Sequence, residues 1–113
     1  MTINKVLCVD DNEDWRESFQ SHLKELTANI DTAEDYNSAM QKIRQTEYDL
    51  IILDSLEGMC FKIHQDIQNL PHGDVIIFSA NDEIRKEAIK KDISFYDKVE
   101  FIKELKRIVN RYR

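Results

Sequence analysis

Glycine and proline are scarce in this chain, two and one among 113 residues. That excludes a flexible linker, a repeat or a low-complexity tract, and a glycine-rich loop of the kind that cradles nucleotide phosphates. Cysteine is scarce too. Cys8 and Cys60 make neither a CxxC pair nor a disulfide framework, so reduced thiols in a reducing cytoplasm are expected. No apolar run approaches the ~20 residues that cross a bilayer, and the opening MTINKV lacks the apolar core of a signal peptide. The three histidines, His22, His64 and His72, have no metal-ligand spacing. Basic residues are the minority, 16 Lys and Arg against 22 Asp and Glu, for a net charge of −6. Non-specific nucleic-acid binding needs a basic face and is argued against. A chain of this length suits one domain, spanning 1–113, with a single core.

What is present is an alternation of buried strands and amphipathic helices. KVLCV, DLIIL, DVIIF and SFYD read as strands, and a shorter one of weaker pattern runs from Asn29 to Ala33. Trp15, Phe19, Leu23 and Leu26 form one helical stripe after the first strand. Asp35 is the expected N-cap of a second helix carrying Ala39, Met40 and Ile43. Met59, Ile63, Ile67 and Leu70 mark a third, closed by Pro71, His72 and Gly73. Asn81 or Asp82 caps a short polar fourth. The last is expected from Val99 to Tyr112, with Val99, Ile102, Leu105, Ile108, Val109 and Tyr112 on one face. Five strand–helix repeats with right-handed crossovers predict an α/β fold, a flavodoxin-like (βα)5 with a parallel sheet of order 2-1-3-4-5 and helices on both faces.

Such a sheet gathers its strand ends at one edge, where ligands bind. The strands end in Asp10, Asp54, Ser79 and Lys98. Asp11 or Asn12 would cap a helix in any case, and Glu13 and Asp14 would favour its positive N-terminal end. That does not account for Asp10 at the end of a buried strand beside the expected position of Asp54. Three carboxylates in one place repel unless a divalent cation lies among them, and an all-oxygen site suits Mg²⁺. With that charge neutralised, Asp54 is a credible acceptor for a phosphoryl group. Ser79 would hydrogen-bond its oxygens and Lys98 would pair with them.

The ordered set VLCVDDN, DLIILDS, VIIFSA and FYDK resembles the receiver domain of two-component response regulators over nearly the whole chain. The resemblance implies that Asp10, Asp11, Asp54 and the backbone carbonyl of Leu56 hold Mg²⁺, and that Asp54 is the phosphoacceptor. It implies that Ser79 and Lys98 contact the phosphoryl group, that Ala80 leaves room for it, and that Ser79 and Phe95 form the conformational switch. It also implies partners: a histidine kinase or phosphotransfer protein as donor, and a downstream protein or fused output domain as target. The only catalysis implied is the domain's own phosphorylation and dephosphorylation.

The chain departs from the family pattern in places. Val99 stands where the family has a proline after its lysine, so a trans Lys98–Val99 bond is expected, and the aim of Lys98 is left open. The spacings 79 − 54 = 25 and 98 − 79 = 19 are short for the family, which implies a trimmed third helix or preceding loop and a short fourth helix. Phe95 has no hydroxyl, and Ser-Leu-Glu-Gly at 55–58 replaces the loop usual after the acceptor. These departures leave open a second reading, a pseudo-receiver that binds partners without switching by phosphate. A haloacid-dehalogenase-like phosphatase is a third; it wants an acid where Leu56 stands.

Overall fold

The computed structural model describes residues 3–113. The elements are β1 (Val6–Val9), α1 (Glu13–His22), β2 (Ile30–Ala33), α2 (Tyr36–Gln45), β3 (Leu50–Leu53), α3 (Met59–Asp66), β4 (Asp74–Ser79), α4 (Asp82–Lys90), β5 (Ser94–Asp97) and α5 (Phe101–Tyr112). All neighbouring strands pair in parallel, in the order β2-β1-β3-β4-β5. The expected flavodoxin-like fold is therefore the observed one. No helix of the described residues is long and apolar enough to cross a membrane.

Alternation along the strands divides the core in two. Leu7, Val9, Ile51, Leu53 and Ile77 pack against Met40 and Ile43 of α2, Cys60 and Ile63 of α3, and Ala88 of α4. Val6, Cys8, Leu50, Ile52, Ile76 and Phe78 pack on the other face against Phe19 of α1 and Leu105, Ile108 and Val109 of α5. Both faces of the central strands are covered, which is why they read as continuous apolar runs rather than alternating ones. Burial pushes the Cys60 thiol up to about 12 and the Cys8 thiol higher still, so both are inert core groups.

Helix starts follow side-chain capping. Asn12 Oδ1 accepts from Trp15 N, Asp35 Oδ1 from Ser38 N within a capping box, and Asn81 Oδ1 from Ile84 N. Helix ends differ more from expectation. Leu23 opens a single 3₁₀ turn, so Leu26 lies beyond α1, and α3 stops at Asp66 with Ile67 as its cap. The eight-residue α3 is short, as the spacing from Asp54 to Ser79 requires.

The expected buried face of the last helix needs correction. A 3₁₀ turn over Lys98–Glu100, capped by Asp97 Oδ1 on Val99 N, delays α5 to Phe101. Val99 is 74% exposed and Ile102 47%, whereas Phe101, Leu105, Ile108, Val109 and Tyr112 carry the contact with the sheet. A 3₁₀ turn advances three residues per turn rather than 3.6, so it rotates Val99 out of register with the stripe that follows.

Candidate functional site

Register brings the strand ends together. Val9 pairs with Leu53, so Asp10 and Asp54, one residue further, lie side by side; Asp54 N donates to Val9 O at 2.8 Å. Leu53 pairs with Ile77 and Ser79 with Asp97, which sets Ser79 and Lys98 along the same edge. Carboxylate oxygens of Asp10, Asp11 and Asp54 fall within 4.8 Å of one another. This is the cluster the sequence anticipates.

Lys98 is the counter-charge. Its Nζ donates to Asp10 Oδ2 at 2.5 Å and to Asp54 Oδ1 at 2.9 Å. The Lys98–Val99 bond is trans, since the described residues contain no cis peptide. Without a following proline the lysine still reaches the acids, which answers the question of its aim. Asp10 Oδ1 accepts from Asn12 N at 2.9 Å, and its backbone carbonyl accepts from Arg16 Nη1 at 2.8 Å. Burial pushes the Asp10 carboxyl above the usual range and the Asp54 charge adds to that, while the Lys98 ammonium and the Asn12 N–H draw it back.

Three carboxylates against one ammonium leave two negative charges, and every candidate donor is a hard oxygen. That donor set fits a divalent cation of the Mg²⁺ type. Leu56 meets Asp54 by its N–H, 3.3 Å from Oδ2, while its carbonyl accepts from Met59 N–H and keeps one lone pair. Its side chain is buried in the core under α2 and α3. Leu56, Glu57 and Gly58 all take positive φ, a tight path for the chain directly after Asp54 and Ser55.

A cleft of about 550 Å³ opens over Asp54, lined by Trp15, Asp54, Ser55, Ser79, Ala80, Asn81, Lys98 and Val99. Buried Ser79 accepts from Asn81 N at 3.1 Å, so its own O–H proton remains to be donated. Phe95 is not in this cleft. It is half-buried beside a smaller hollow shared with Ser79, Asn81, Arg85 and Asp97, and it packs against the α4 side of the core. Trp15, a member of the apolar stripe by spacing for which a place near the acidic pocket was the alternative, lines the cleft. Its position four residues after Asp11, one helical turn on, was the available signal.

The family model for the response regulator receiver domain matches residues 6–109. The response regulator TrrA from Thermotoga maritima, whose crystal structure is in complex with Mg²⁺-BeF, is 26% identical with a TM-score of 0.76, covering 98% of this chain and 100% of that one. A CheY-like receiver domain from Methylobacillus flagellatus has a TM-score of 0.79 at 18% identity, over 99% of this chain and 100% of its own. The response regulator domain of Thermotoga maritima CheB gives 0.79 at 21%, over 100% and 95%. No curated protein matches the chain.

Proposed function

The chain belongs to the response regulator receiver domain family, and from that premise we propose that it accepts a phosphoryl group on Asp54 in a Mg²⁺-dependent reaction. The donor is the phosphohistidine of a histidine kinase or phosphotransfer protein. The phosphorylated form signals by altered binding to a downstream protein or a fused output domain, in the cytoplasm. The observation that carries this reading is the Asp54 carboxylate itself. It is 13% exposed at the floor of an open cleft, bonded to Lys98 through one oxygen and set beside the Asp10 and Asp11 acids.

Asp10, Asp11, Asp54 and the remaining lone pair of the Leu56 carbonyl are the groups that would hold Mg²⁺, which supplies charge neutralisation between the acids and the incoming phosphoryl oxygens. A carboxylate oxygen of Asp54 forms the new P–O bond as the donor's N–P bond breaks, and that electron pair returns to the imidazole nitrogen. The Ser79 hydroxyl donates to a phosphoryl oxygen, and the Lys98 ammonium exchanges a carboxylate for another. Ala80, with only a methyl group, leaves the cleft open above Asp54. Withdrawal of Ser79 toward the phosphoryl group alters the hollow that it shares with Phe95, which is how the switch would reach β5.

The test is the intact mass of the protein after incubation with acetyl phosphate and Mg²⁺, beside Asp54→Asn. A single Mg²⁺-dependent phosphoryl adduct, absent from the variant, is expected. No adduct, together with no detectable Mg²⁺ binding, would overturn the acceptor reading in favour of a partner-binding module that does not switch by phosphate.

A further inference from the structure

Lys98 is only 9% exposed along its side chain, so something other than solvent must fix its ammonium group. Two carboxylates occupy two of its directions. An ammonium has three donors, and a third side of the Lys98 head is covered by the Trp15 indole, with Nζ 4.4 Å from the ring centroid. That separation is well inside the range in which a ring face attracts a cation.

The indole is itself held. The Trp15 backbone N–H donates to Asn12 Oδ1 at 3.2 Å, which places the residue in the first turn of α1. Its ring meets Phe101 edge-on, centroids 4.8 Å apart at 61°. Phe101 in turn lies against Phe19 at 5.4 Å and Phe78 at 5.6 Å, so the platform is bolted to the core between α1, β4 and α5. A residue that merely completed the apolar stripe would need neither the half-exposed position nor a face turned to the lysine. Leucine would serve there as well.

We infer that Trp15 is the positioning residue for Lys98: its ring holds the ammonium over the acceptor, in place of a conformational constraint after the lysine. This rests on the acceptor reading above for its consequence, but not for its geometry. Without the ring, the four-carbon stem is free to swing toward water, and the ammonium is less often aligned for the phosphoryl oxygens.

The test has two arms. In the metal-free, unphosphorylated protein, NMR should find the Lys98 Cε protons shifted upfield by the indole ring current, with the shift abolished in Trp15→Leu and partly kept in Trp15→Phe. With acetyl phosphate and saturating Mg²⁺, Trp15→Leu should slow adduct formation on the order of tenfold, and Trp15→Phe by much less. In a Lys98→Met background, Trp15→Leu should have no further effect on the rate. Lys98 protons at ordinary lysine positions in the wild type would overturn the inference. So would a Trp15→Leu rate equal to wild type, or a tenfold loss that persists without Lys98. If no variant and no wild type forms an adduct, the acceptor reading has failed, and the NMR arm alone decides the role of Trp15.

Discussion

Lys98→Met isolates what the lysine contributes to the free protein. The ammonium lies 2.5 Å from Asp10 and 2.9 Å from Asp54. At an effective dielectric of about 20, a contact at that range is worth about 6 kcal/mol of gross attraction. Desolvation of three nearly buried groups cancels most of this, so the pair adds little relative to a neutral replacement of all its members. Removing the lysine alone is different, because Asp10, 1% exposed, then stands beside Asp54 with no cationic partner and only the Asn12 N–H on its carboxylate. Breaking a buried pair in this way costs about 3–5 kcal/mol. Water reaches Asp54, whose side chain is 13% exposed, and that favours the lower figure. For a domain of this size ~3 kcal/mol corresponds to a fall of about 12 °C in Tm. Methionine keeps the bulk and length of the stem, so the loss reports charge rather than a cavity.

The same reasoning sets the response to Mg²⁺. In the wild type a cation must share Asp10 and Asp54 with Lys98, whereas in Lys98→Met the acids have no other counter-charge. Thermal melts with and without Mg²⁺ should therefore recover more of the variant's stability than they add to the wild type's, at about 2.7 kcal/mol when the ion stands at 100 times its Kd. A variant melting within ~2 °C of wild type would refute the energetic argument, since it amounts to less than ~1 kcal/mol. Equal Mg²⁺ stabilisation of both proteins would refute the claim that lysine and metal compete for the same carboxylates.

Gly73→Ala should destabilise by more than about 3 kcal/mol in urea unfolding, because its Cβ would lie 2.1 Å from the Asp49 carbonyl oxygen, where the bond from Gly73 N to Tyr48 O opens the β3–β4 pairing. Gly58→Ala meets no atom within 4 Å and is strained only by its φ of +93°, so a cost of about 1–2 kcal/mol is expected; equal losses at the two glycines would count against the steric account. Burial, and then hydrogen bonds to Asp31 and Asp74, push the Tyr48 and Tyr112 hydroxyls above the ordinary tyrosine value. Their folded pKa exceeds the unfolded ~10, so their contribution is intact below about pH 10 and lost as pH rises beyond it. Urea midpoints followed from about pH 8 to about pH 11 should fall at the alkaline end, and less steeply in Tyr112→Phe. The aspartyl phosphate should hydrolyse slowly, because Leu56 turns its side chain into the core and offers no group to orient an attacking water; a half-life of seconds in an intact-mass time course would contradict this.

Sequence alone determined the order of elements, the parallel sheet and the identity of the strand-end residues. Each of these follows from local patterns: continuous apolar runs for strands covered on both faces, helical spacing between them, and Asx caps at three helix starts. Proximity of Asp10 to Asp54 was legible too, because the flavodoxin-like order 2-1-3-4-5 sets the first and third strands side by side.

Tertiary structure decided the aim of side chains. Nothing local could tell whether Lys98, followed by valine, would turn toward the acids. Its direction is set by two carboxylates 88 and 44 positions away and by an indole on α1. Val99 and Ile102 fitted the helical stripe, but a 3₁₀ turn capped by Asp97 changed the phase before α5 began. Trp15 belonged to an apolar stripe by spacing, and only the packing of Phe101 behind it turned its face to the cleft. Periodicity reports which face of an element is apolar; what that face meets depends on groups remote in sequence, which a one-dimensional pattern does not carry.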